Sequence, residues 1–197
     1  MNQTQALPFL PLAKTVLPQR SALRDTLLVV AGSLFVALSA QVTVPIEPVP
    51  ITGQTLGVLL VGAALGSRLG FLALAAYLIE GGAGLPFFAG GKAGFGQGFT
   101  LGYLVAFPLA AALVGYLVER FGADRSPLKT LGAMLLGSLL IYLLGVPWLG
   151  YMLHKLGMYQ GIPALLTAGM SKFLLGDVIK AVAAAALLPS AWRLIRR

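Results

Sequence analysis

The stretch Ala164-Leu-Leu-Thr-Ala-Gly-Met-Ser-Lys-Phe-Leu-Leu-Gly-Asp177-Val-Ile-Lys180-Ala-Val-Ala-Ala-Ala-Ala-Leu-Leu188 is a long apolar run with Asp177 and Lys180 in its interior. Its length suits a membrane-spanning helix. Counted from Pro163 at ~1.5 Å per residue, Asp177 falls roughly 20 Å along that helix, near the middle of a bilayer. A charge at that depth costs at least ~2.5–3.5 kcal/mol on insertion scales, so such residues turn towards a bundle interior, a pathway or a ligand. The spacing of three puts both side chains on one helix face. The pair is therefore either an ion pair that ties helices together or the polar floor of a binding site inside a membrane bundle.

The composition agrees with a membrane setting. Of 197 residues 58% are hydrophobic and 10% charged, against about 25% charged in ordinary soluble domains. One all-α bundle is expected, because lipid leaves no water to satisfy exposed backbone groups. Cysteine is absent, which excludes disulfides and thiolate metal sites, and the single His154 argues against a histidine metal centre. The net charge of +8 does not imply nucleic acid. The basic residues flank apolar segments, where headgroups and membrane topology account for them.

Residues 1–22 read as an interfacial or loosely ordered lead-in broken by Pro8, Pro11 and Pro18, and residues 23–197 as a single transmembrane domain. Leu23–Val44 is the first span. Ser33 and Ala37 stand on it at a small-xxx-small spacing, which suits either packing inside the bundle or close approach by a partner helix. Pro45, Pro48 and Pro50 then force a non-helical connection. Gly53 to Glu80 is read as two short helices turning at Ser67-Arg68, since one continuous helix would leave Arg68 mid-membrane. Gly62, Gly66 and Gly70 suit two backbones in near contact. The segment from Gly81 to Gly98 holds eight glycines; interleaved Pro86, Phe87, Phe88 and Phe95 favour a folded cap over a floppy linker. Phe99–Phe121 is the fourth span, Leu128 to about Pro147 the fifth, with Trp148, Tyr151 and Tyr159 as an interfacial aromatic belt. The sixth opens at Pro163 and leaves through Pro189.

Six spans put both termini on one side. That side collects Lys14, Arg20, Arg24, Arg68, Arg120, Arg125, Lys129, Arg193, Arg196 and Arg197, so the positive-inside rule places both termini in the cytoplasm. The Thr52 and Lys92 loops then share the external face above Asp177 and Lys180. This is the layout of a pocket that captures a solute from outside.

The stretch from Val44-Pro-Ile-Glu-Pro-Val-Pro-Ile-Thr-Gly-Gln-Thr to Gly70 resembles the signature of the BioY family, the biotin-binding S components of energy-coupling-factor vitamin transporters. The likeness continues through Gly82-Ala-Gly-Leu-Pro-Phe-Phe-Ala-Gly-Gly91, Gly102-Tyr103-Leu104 and Gly176-Asp177-Val-Ile-Lys180. One segment departs: the family tends to show Gly-Pro-Thr-Gly-Gly-Tyr where this chain has Gly98-Phe99-Thr100-Leu101-Gly102-Tyr103. The resemblance implies a multi-pass protein of the bacterial plasma membrane that binds biotin as its ligand, with no cofactor. It implies as partners a transmembrane coupling subunit and a pair of ATPase subunits, the first meeting the small-residue face of Ser33 and Ala37. No Gly-xxxx-Gly-Lys-Ser/Thr phosphate loop occurs here, so ATP hydrolysis is expected in the partners.

Under that resemblance Asp177 accepts from a ureido N–H of biotin while Lys180, Thr52 or Gln54 donates to the ureido carbonyl. Phe87, Phe88 and Tyr103 supply apolar walls. Lys92 in the cap either pairs with the biotin carboxylate or is merely solvated. The competing readings are an intramembrane enzyme using Asp177 as acid or base, an S component for a different vitamin, and a packing protein that takes no ligand.

Overall fold

The computed structural model describes residues 9–19, 21–95 and 98–195. Pro8, Arg20, Gly96, Arg196 and Arg197 of the sequence reading lie outside the described residues. What is described is a helical bundle with one small hairpin. Helix α1 (Leu12–Val16) is followed by α2 (Ala22–Gln41). The Ser21 hydroxyl caps α2 by accepting from the Arg24 N–H at 3.1 Å, with Asp25 in the first turn where the helix dipole favours an anion. α2 ends short of the expected Val44 because Thr43–Val44 (β1) pairs antiparallel with Ile51–Thr52 (β2), Thr43 opposite Thr52 and Val44 opposite Ile51. The three prolines are thereby left at the tip of the loop, where no ladder N–H is required.

The expected hairpin is present as α3 (Gln54–Leu65) and α4 (Ser67–Gly82). It breaks at Gly66, at φ +85°, one residue ahead of the expected turn, and Arg68 is exposed there. A side chain at Gly66 would meet Glu119 Oε1 at 2.5 Å and Pro11 Cγ at 2.7 Å, so conformation and space both require glycine. Gly70 comes within contact of the Gly62 Cα, the close backbone approach read from the glycine spacing.

Helix α5 (Leu101–Phe121) is central, packed against α3, α4 and α6 (Pro127–Lys155). Pro127 occupies the favourable first turn of α6. The helix runs on through Pro147 to Lys155, beyond the expected end, so Trp148 and Tyr151 lie on the helix itself. Trp148 is half-buried and its indole N–H bonds the cap, while Tyr151 and Tyr159 are exposed. Helix α7 (Ile162–Leu166), a π-turn at Thr167–Ser171 and α8 (Lys172–Ile195) then form one continuous element that passes Pro189 instead of leaving there. Among the described residues four elements are long and apolar enough to cross a membrane: α2, α5, α6 and Ile162–Ile195. Tyr77, Leu74, Met134, Ile141 and Leu149 are fully buried among them.

Two expectations about the first helix region change. Ser33 and Ala37 are buried inside the chain, and the Ser33 hydroxyl donates to Glu80 Oε2 on α4. At Ser33 the close approach is met by the chain's own α4, and the burial of both side chains corrects their assignment as a partner surface. The described part of the lead-in is docked, not loose. Pro11 is fully buried, Lys14 pairs with Glu119 at 2.9 Å, and the Phe9 N–H donates to the Glu119 carbonyl.

Candidate functional site

The loop after α2, the start of α3, the glycine-rich segment, α5, α6 and α8 enclose a cavity of about 700 Å³, within the usual range of small-molecule sites. Its floor is the pair that the sequence singled out. Lys180 Nζ lies 3.3 Å from Asp177 Oδ1, and Asp177 is 5% exposed. Two residues that the sequence reading did not single out complete the floor. The Thr55 hydroxyl receives the Lys180 ammonium at 2.8 Å and donates to Asp177 Oδ1 at 3.4 Å, while the Tyr142 hydroxyl donates to Asp177 Oδ2. Both carboxylate oxygens are thus held by donors from three helices. A buried charge is tolerable on those terms, and Oδ2, with Tyr142 as its one donor, retains lone-pair capacity for another.

The wall on the hairpin side is a relay. Thr52 Oγ1 accepts from the Gln54 N–H at 3.2 Å and donates to Gln54 Oε1 at 3.0 Å. The Gln54 amide donates to the Tyr77 hydroxyl at 2.5 Å, and Tyr77 donates to the Phe87 carbonyl at 3.1 Å. Thr52 and Gln54 both line the cavity. Phe87 does not: its ring stacks on Tyr77 with centroids 6.4 Å apart, which corrects its reading as a ligand wall. Phe88 and Tyr103 do line the cavity, joined by Phe107, Ile141 and Phe173. The Tyr103 hydroxyl is committed to the Gly169 carbonyl at 2.9 Å, so its ring is what it offers a ligand.

The roof is a folded cap. Phe88 and Lys92 form a β-bridge, the Phe88 ring packs edge-on to Tyr77 at 5.5 Å and lies 5.9 Å from Phe95, and the Gly94 N–H reaches back to the Gly81 carbonyl. Gly81 is required because any side chain there would occupy the space of the Phe88 ring. Trp148 Nε1 donates to the Gly98 carbonyl at 2.6 Å and pins the far end. Lys92 is exposed at the cavity margin, and among the described residues its ammonium has no hydrogen-bond or ion-pair partner. Floor, walls and roof give a concave site with an apolar middle and charged groups at both ends. Such a site suits a ligand with a polar ring, an apolar body and an anionic tail.

Residues 11–197 match the model of the BioY family. The chain belongs to the BioY family. Among its relatives are the probable biotin transporter BioY of Pyrococcus horikoshii, 38% identical over 157 residues covering 77% of this chain and 88% of that one, and the biotin transporter BioY of Rhodobacter capsulatus, 39% identical over 166 residues covering 80% and 86%. A crystal structure of the S-component for biotin from an ECF-type ABC transporter superposes with a TM-score of 0.74 at 24% identity, covering 91% of this chain and 96% of that one. At that identity the likeness concerns the fold. This BioY family member keeps Tyr103 on the cavity wall although Phe99 and Leu101 precede it, so the departure before α5 does not remove that residue from the site.

Proposed function

We propose that the chain is the biotin-capturing S component of an energy-coupling-factor transporter in the cell membrane. It crosses the membrane six times, with α3 and α4 as two short spans and both termini in the cytoplasm. A transmembrane coupling subunit and a pair of ATPase subunits, which hydrolyse ATP, complete the transporter. The observation that carries this reading is the Asp177–Lys180–Thr55–Tyr142 floor beneath an apolar cavity of about 700 Å³.

The ureido ring of biotin has two N–H donors and a carbonyl acceptor on one edge. With that edge on the floor, an N–H donates to Asp177, and Lys180 or Thr55 donates to the carbonyl, as complementary charge-assisted bonds. The fused sulfur ring lies against Phe88, Tyr103, Phe107 and Phe173, and the tail carboxylate rises to Lys92. The test is thermal unfolding of the purified chain with biotin and, separately, with other vitamins. Biotin alone should raise the melting temperature, in proportion to its concentration over Kd, and should be recovered unchanged. Stabilisation by another vitamin, or chemical conversion of biotin, would contradict the proposal.

A further inference from the structure

The tip of the proline-rich loop, residues 45–50, forms one side of the cavity. The two short strands close only its base, and prolines at 45, 48 and 50 remove N–H donors that would otherwise tie it down. Among the described residues, one side-chain hydrogen bond from elsewhere in the chain reaches the tip: Lys172 Nζ donates to the Glu47 carbonyl at 2.9 Å. Val49, 7% exposed, is its apolar foot.

The lysine is aimed by an irregular backbone. It is the first residue after the π-turn Thr167–Ser171, where an inserted residue resets the register of everything that follows. Tyr103 on the cavity wall holds that turn through the Gly169 carbonyl, and the next residue, Phe173, lines the cavity with the Lys172 ammonium 5.3 Å from its ring centroid. Lys172 itself is not among the residues that line the cavity. One wall thus holds the turn, and the turn presents a cation to the loop that forms another wall.

We infer that Lys172 is a positioning residue that latches the 45–50 tip over the cavity and sets how long a ligand stays. This rests on reading the cavity as the biotin site. A latch outside the cavity acts on opening and touches no ligand, so its loss speeds release and capture alike and changes equilibrium affinity less than either rate.

The experiment measures the release of labelled biotin from the purified chain. Lys172→Met should speed release about ten-fold, the lower end for a charge-assisted hydrogen bond at a half-exposed site. Lys172→Arg, which still donates to a carbonyl, should restore most of the retention. A reporter independent of biotin uses the absence of cysteine: Val49→Cys should react with a maleimide about ten-fold faster once Lys172→Met is added, following the lost hydrogen bond. Unchanged release and unchanged labelling in Lys172→Met would overturn the latch. Failure of the unmodified chain to bind biotin, with labelling accelerated as expected, would keep the latch and remove the biotin reading instead.

Discussion

The floor and the roof of the cavity are built by opposite means. The floor consists of side chains on three regular helices, each oxygen of Asp177 held by donors from α3, α6 or α8. The roof is mostly backbone, with glycines at positive φ at 90, 91 and 94, fixed by the packing of Phe88 against Phe95 and Tyr77. A floor of that kind is set in advance and discriminates by charge and hydrogen-bond geometry. A roof of that kind excludes water and offers few polar groups of its own. Specificity should therefore be concentrated below and retention above.

The largest test of this contrast is Asp177→Asn. An amide keeps one acceptor but removes the charge and leaves Lys180 without its counter-ion. Losing one partner of a buried charge pair costs ~2–5 kcal/mol, or roughly 30-fold to several thousand-fold in biotin affinity by titration calorimetry. Unchanged affinity in a folded variant would make the pair a helix tie and erase the distinction between the two regions.

Tyr142→Phe should be next in size. It removes one donor to Asp177 while keeping the ring, and hydrogen bonds to charged groups contribute ~1.5–3 kcal/mol, so affinity should fall roughly 10- to 100-fold. If binding is unaffected, Thr55 and Lys180 alone set the floor.

The floor shows what can be read from a chain of this kind. Asp177 and Lys180 stand out because charge is rare in an apolar run. Their spacing of three then fixes their common face. Thr55 stands in the Gln-Thr of the family-like stretch and Tyr142 in no motif, but neither is marked as part of the floor: Thr55 is separated from Asp177 by 122 positions and Tyr142 by 35, so the contacts exist only after α3 and α6 pack beside α8. The one signal was a tyrosine inside the fifth apolar run, whose hydroxyl needs a partner once buried. The bend at Gly66 was legible to within a residue, because an unpartnered Arg68 cannot sit in mid-membrane. The extension of α6 through Pro147 was not, since a proline's lost hydrogen bond is tolerated where neighbouring helices support the backbone. Ser33 and Ala37 correctly announced a close helix contact but could not say whose helix it was. The π-turn before Lys172 has no sequence mark at all.

The smallest expected effect lies in the roof. Lys92 has no partner among the described residues at the cavity margin, and an exposed lysine meeting a carboxylate contributes little. Lys92→Ala should weaken biotin about ten-fold or less, and biotin amide, which lacks the charge, should bind the unmodified chain more weakly by the same factor. The variant should scarcely distinguish biotin from its amide. Equal losses for both ligands on mutation would show that Lys92 shapes the cap and does not read the tail.

The most direct measurement is a crystal structure of the chain with biotin bound. The expected result is the ureido ring on the floor, with an N–H within hydrogen-bond distance of the Asp177 carboxylate, the carbonyl receiving Lys180 or Thr55, and the tail directed at Lys92. Biotin lying the other way, with its carboxylate on Lys180 and its ureido ring under the glycine-rich cap, would contradict the assignment of specificity to the floor.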